Sequence, residues 1–154
     1  MKFLLLAALL FSTSAWAIDT SHNRVQSTQG SFADVREFAE MAITDRGMVI
    51  NNVAHIGNML ERTAGDIAGA KPIYKHAEAL EFCSALISRQ MMEADPHNIT
   101  YCPYVLAIYE LVDEPGTIYV GYRRPALADD ASAETRAAMA RVEQLLADIV
   151  ADAL

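Results

Sequence analysis

Apolar residues recur along this chain first at helical and then at strand spacing, and the alternation between the two predicts its elements. Phe32, Val35, Phe38, Ala39 and Ala42 recur at helical spacing, as on one helix face. Ser31 precedes them as an N-cap, with Asp34 in the capping-box position, and Gly47 after Arg46 supplies the stop. Met48 to Val53 then reads as a strand. His55 stands where the chain turns into a second helix, whose apolar face is Ile56, Met59 and Leu60 and whose end is Gly65. Gly69 and Pro72 mark a loop between Asp66 and Lys75.

Ala77 to Phe82 alternates imperfectly, as a short strand. Ser84 caps a helix reaching about Ala94, and Asp95-Pro96 stops it because the residue before proline avoids the helical region. Tyr104 to Leu111 alternates as a strong strand, and Pro103 confines that strand's start to a first or edge position. Pro115-Gly116 fits the centre of a type II turn leading into Thr117 to Tyr122, so these two runs form a hairpin. After Pro125 a small, acidic linker leads to a helix capped near Ser132. Ala138, Val142, Leu145, Leu146, Ile149 and Ala153 are its buried stripe, and Arg141, Gln144, Asp148 and Asp152 its wet side. With a weak leading strand around Arg24 to Ser27, the order is strand, helix, strand, helix, strand, helix, hairpin, helix. That order predicts an α+β domain over 31–154: a mixed sheet with helices mainly on one face. An open opposite face invites a partner, and a homodimer is expected.

The N-terminus adds a compartment. Lys2, the apolar run Phe3 to Phe11 and Ala15-Trp16-Ala17 have the form of a secretory signal peptide over 1–17, cut after Ala17, with 18–30 as an N-terminal segment. The run is too short to span a bilayer. The expectation is a periplasmic or secreted protein with no membrane attachment after cleavage. Charge narrows the partners further: 12 Lys and Arg face 20 Asp and Glu, a net charge of −8. No basic cluster offsets this excess, so nucleic acid is not an expected partner.

Candidate chemistry is sparse. There is no Gly-rich phosphate loop, no G-x-S-x-G, no H-E-x-x-H, and neither C-x-x-C nor C-x-x-C-H. Cys83 and Cys102 each sit at the boundary of a regular element. In an oxidising compartment they form a structural disulfide, remain separate thiols, or serve a redox or ligand role. Cys83, next to the N-terminus of the Ser84 helix, is placed for activation as a thiolate. His55 and Met59, four apart on a helix, share a face and together could bind copper or ligate a haem iron. Tyr101, Tyr104, Tyr109, Tyr119 and Tyr122 cluster across the hairpin, as cross-strand packing or as a binding face. Arg123-Arg124, the adjacent basic pair at the end of the last strand, could orient an anionic group such as a propionate.

Several short motifs in order carry a resemblance. Gly47 is followed by a strand and His55-x-x-x-Met59. Glu81-Phe82-Cys83-Ser84-Ala85, Ala94-Asp95-Pro96 with Asn98, Cys102-Pro103-Tyr104 and Val120-Gly121-Tyr122-Arg123-Arg124-Pro125 come after it. In these the chain resembles the Domain of Unknown Function 302 family over roughly 30–154. The resemblance implies a compact α+β fold with a curved sheet backed by helices, akin to the TATA-binding-protein-like arrangement, and often a dimer. It transfers no catalytic residue.

The functional expectation is a small exported binding protein rather than an enzyme. Its ligand candidates are non-covalent haem b first and copper second, and its ligand-binding candidates are His55, Met59, Tyr104 and Arg123. The alternatives are a thiol–disulfide redox protein using Cys83 and Cys102, or an accessory subunit docking a periplasmic partner protein through its open sheet face.

Overall fold

A computed structural model describes residues 17–154. The expected signal peptide lies outside the described residues except for Ala17. Six strands form one sheet in the order β1-β2-β6-β5-β4-β3: β1 Ala17–Asp19, β2 Asn23–Gln29, β3 Val49–Ala54, β4 Tyr74–Cys83, β5 Tyr104–Leu111 and β6 Thr117–Arg123. Four helices accompany them: α1 Phe32–Thr44, α2 Ile56–Ala64, α3 Ala85–Ala94 and α4 Ala133–Ala153. Residues 18–30 thus belong to the same sheet as the rest.

The domain is α+β, as the element order predicts. Every strand pairing is antiparallel, which narrows the mixed sheet expected from sequence. The reason lies in the connections. β3, β4, β5 and β6 are successive neighbours, so α2 with its loop, and α3 with the 3₁₀ helix Pro96–Tyr101, each bring the chain straight back beside the strand it left. They are enlarged hairpin connections, not the crossovers that parallel pairing requires. Only α1 carries the chain across, from β2 to the far edge at β3.

Local signals explain most boundaries. The side chains of Ser31, Ser84 and Ser132 accept hydrogen bonds from the backbone N–H of Asp34, Ile87 and Thr135, each satisfying a free donor of a helix start. Gly47 and Gly116 adopt φ of 73° and 82°, the left-handed region open to glycine. Thr117 N–H donates to Glu114 O across the Pro115-Gly116 turn. β4 begins three residues earlier than its pattern suggests, because Tyr74 pairs with Leu111 ahead of an irregularity between Tyr74 and His76 that breaks the alternation. The 3₁₀ helix is an added element, capped by the Asp95 carboxylate on His97 N–H.

The core lies between one sheet face and α1, α3 and α4. Leu80, Phe82, Tyr104, Leu106, Ile108, Ile118, Val120 and Tyr122 supply the sheet side, and Ala39, Ile43, Met91, Val142, Ile149 and Val150 the helices. Phe38, expected on the buried face of α1, is exposed. On the opposite face Gly121 pairs with Val25. A Cβ at this glycine would come within 2.8 Å of both Arg24 O and Val25 Cγ2. Gly121→Ala is therefore expected to destabilise the domain by about 2 kcal/mol through overpacking against backbone. A thermal melt indistinguishable from that of the parent would refute this.

Candidate functional site

β3 pairs with β4 only from Cys83 back to Ala79. Beyond that point α2 takes the place of a strand alongside β4. Gly57 makes this approach possible: a Cβ there would lie 3.1 Å from Ala77 N. α2 nevertheless contains no buried residue. Between α2, the loop 65–73, the first half of β4 and Phe32 of α1 lies a cavity of about 430 Å³, within the range of about 300–1,000 Å³ usual for small-molecule sites. Its lining is mainly apolar, with Phe32, Leu60, Ile67, Pro72, Ile73 and Tyr74, and carries several polar groups, among them His55, Glu61, Lys71, Lys75, His76 and Glu78.

Two histidines line this cavity, each beside a carboxylate. His55, the residue before α2, places Nδ1 3.0 Å from Glu78 Oε1. Glu78 is itself held on its other oxygen by Arg36 Nε at 3.2 Å, and Arg36 also pairs with Glu40. Partial burial works against the Arg36 charge, but hydrogen bonds to Glu78 and Glu40 outweigh it and raise the pKa. A carboxylate on Nδ1 favours the tautomer with the proton there and leaves Nε2 with its lone pair available, the arrangement found behind metal-ligating histidines. His76 stacks on Phe32 with ring centroids 5.0 Å apart, and its Nε2 lies 3.9 Å from Glu110 Oε2. Glu110 is buried, and its Oε1 accepts from Gly116 N at 2.8 Å and Lys75 Nζ at 3.0 Å.

The structure separates the four ligand candidates. His55 lines this cavity. Met59 is exposed and does not line it, so the His–Met pair does not converge there despite its helical spacing. Tyr104 and Arg123 line a second cavity, of about 330 Å³, at the other end of β5 and β6. Tyr104 is buried, its hydroxyl 3.0 Å from Ser88 Oγ, and burial raises its pKa. The tyrosine cluster also divides. Tyr104 and Tyr122 face the core, whereas Tyr109 stacks on Tyr119 at 5.0 Å on the opposite face, with Tyr74 edge-on to Tyr109 at 5.6 Å. The Glu114 carboxylate accepts the Tyr119 hydroxyl bond and pushes its pKa up to about 12. Cys83 and Cys102 are joined as a disulfide, with Cα atoms 6.4 Å apart.

The family model for the domain of unknown function DUF302 matches residues 23–153. The chain belongs to the DUF302 family. A solved structure, the uncharacterized conserved protein DUF302 from Bacillus stearothermophilus, is similar to it with a TM-score of 0.71 at 14% identity, covering 88% of this chain and 100% of that one. This likeness bears out the fold. No curated protein matches the sequence.

His76, Glu78 and Lys75 were not among the sequence candidates for this DUF302 chain. His76 and Glu78 are two apart on one strand, which places them on one face. Nothing local, however, ties Glu78 to His55, 23 positions away; only the β3–β4 register does.

Proposed function

We propose that this DUF302 protein is an exported binding protein that holds a small, largely apolar ligand in the cavity beneath α2, with His55 as its principal polar contact. The supporting observation is the His55–Glu78–Arg36 chain at the edge of a cavity whose lining is mainly apolar. A group fixed in this way offers one imidazole nitrogen in a set orientation, while Phe32, Leu60 and Ile73 provide burial for an apolar body. Lys71 on the same wall suits an acidic substituent.

Haem b is the ligand to test first, because its ring brings its own equatorial donors and needs only axial ones from the protein. A bare copper ion comes second: among the described residues no group of three or more His, Cys, Asp or Glu side chains could hold a metal ion. Titration of purified protein with haemin, followed at the Soret band, is expected to saturate at one equivalent. His55→Ala is expected to abolish the shifted band, and Glu78→Gln to weaken binding about tenfold, at the lower end of the effect of losing a carboxylate behind a ligand. Full haem affinity in His55→Ala would overturn the assignment.

A second reading rests on the opposite sheet face, where Tyr74, Tyr109 and Tyr119 form a continuous aromatic ladder beside Ala107 and Gly121. We propose that a second copy of this chain covers it, since a small-residue sheet face flanked by tyrosines suits close packing. Light scattering is expected to return a dimer that Ala107→Arg converts to a monomer. A monomeric parent would remove this reading.

A further inference from the structure

The second cavity lies where β2 and β5 begin and β6 ends, with α4 behind it. Its apolar walls come from Pro103, Val105 and Leu146. Its charged lining residues, Arg123 and Arg124, are both cationic in a chain whose net charge is −8. The two arginines differ in state. Arg124 is spoken for, pairing with Asp19 and, at 3.2 Å, with Glu143. Arg123 is exposed and makes no ion pair with any carboxylate among the described residues. Among the described residues no carboxylate lines this cavity, so the charge of Arg123 stands on its wall without a neutralising partner.

A second observation concerns the apolar wall. Tyr101, which also lines the cavity, is held in place by its hydroxyl, which donates to Ala126 O. It presents a fixed aromatic wall.

We infer that this cavity is a separate binding site for a small acid: a single carboxylate directed at Arg123, joined to a ring-sized apolar body lying against Tyr101 and Pro103. The volume of about 330 Å³ sits near the lower end of small-molecule sites, about 300 Å³, and fits one ring with a short acidic arm. The guanidinium fork of Arg123 matches a carboxylate bidentately. The site is independent of the cavity at His55.

The test is an amide-resolved NMR titration of the purified protein with 3-phenylpropionate, its uncharged amide, and sulfate. The acid is expected to shift the amides of Tyr101, Arg123 and Ala126 saturably, with the amide and sulfate at least tenfold weaker. Arg123→Gln is expected to weaken the acid at least tenfold, whereas Arg123→Lys retains part of the affinity and His55→Ala all of it. Arg123 is exposed at a strand end, so these variants keep the fold, and the unshifted remainder of the spectrum reports it. Equal binding of acid and amide, binding of sulfate as tight as that of the acid, or an unaffected Arg123→Gln would each overturn the assignment. Loss of binding in His55→Ala would place the ligand in the other cavity and overturn it as well.

Discussion

Glu110→Ala is expected to lower the stability of the domain by about 3 kcal/mol at neutral pH, since hydrogen bonds to a charged group contribute about 1.5–3 kcal/mol each. Glu110 is the last core-facing residue of β5 and is 3% exposed. Its carboxylate receives the Gly116 N–H of the hairpin turn and Lys75 Nζ from the neighbouring strand. Removing it strands a turn donor and detaches β4 where the irregularity at Tyr74 and His76 already weakens the ladder. The melting temperature should fall by about 6–12 °C, at about 2–4 °C per kcal/mol for a chain of this size. The pH dependence identifies the cause. The Gly116 N–H first, then Lys75 and His76, hold the Glu110 pKa below its ordinary value of 4.5, against the opposing effect of burial. The folded state thus binds this proton more weakly than the unfolded state. The contribution of Glu110 is complete above about 4.5 and is lost as pH falls through the lower folded value. The gap between parent and variant melts should close across that acid window. A gap that stays constant with pH would show that volume, not charge, was lost.

Glu110 also bears on the first cavity. Lys75 and His76 both line that cavity and both meet Glu110 from the outside. The positions of two of its polar groups are therefore set from within the core.

What could be read from sequence was whatever depended on near neighbours. The three serine caps, the glycine in the hairpin turn and the long stripe of α4 each rest on residues close to one another in sequence, and each stands as expected apart from Leu145, which is only partly buried. The division of the tyrosines was also readable: Tyr104 and Tyr109 are five apart, and Tyr119 and Tyr122 three. An odd separation on a strand puts two side chains on opposite faces. The cluster read across the hairpin overlooked this parity. His55–Glu78 was a different case. It requires the register in which Ala54 meets Ala79, after a shift between Ile50 and Asn52 that no pattern in the chain announces. The separation of Met59 from His55 follows from the cap. His55 stands before the helix, not in it, with φ −83° and ψ 75°, so helical spacing does not carry its side chain onto the face of Met59.

Reducing the Cys83–Cys102 bond, or replacing both residues by serine, is expected to cost about 3 kcal/mol, the loop-closure value for a loop of this length. The sequence separation is 19, and the loop contains α3 and the 3₁₀ helix. The bond lies where the strands already meet, because Phe82 pairs with Tyr104 just inside it. It therefore gathers the two ends of an excursion that the ladder alone holds on one side. Cys102 Sγ also lies 3.7 Å from Ser88 Oγ, on a residue of α3 that is buried and hydrogen-bonded to Tyr104, so loosening this end exposes the α3 contact with the sheet. Thermal melts with and without a dithiol reductant measure the cost, with an expected fall of about 6–12 °C. The same quantity decides between a structural bond and a thiol–disulfide couple. By linkage, whatever stability the bond gives the fold, the fold returns as resistance to reduction, and 3 kcal/mol corresponds to about 65 mV for a two-electron couple. A reduced protein that melts about 6–12 °C lower carries a bond made more reducing by its own fold, as a structural disulfide is. A reduced protein with an unchanged melting point can cycle at no cost to the fold, and the redox reading of Cys83 and Cys102 would then displace the structural one.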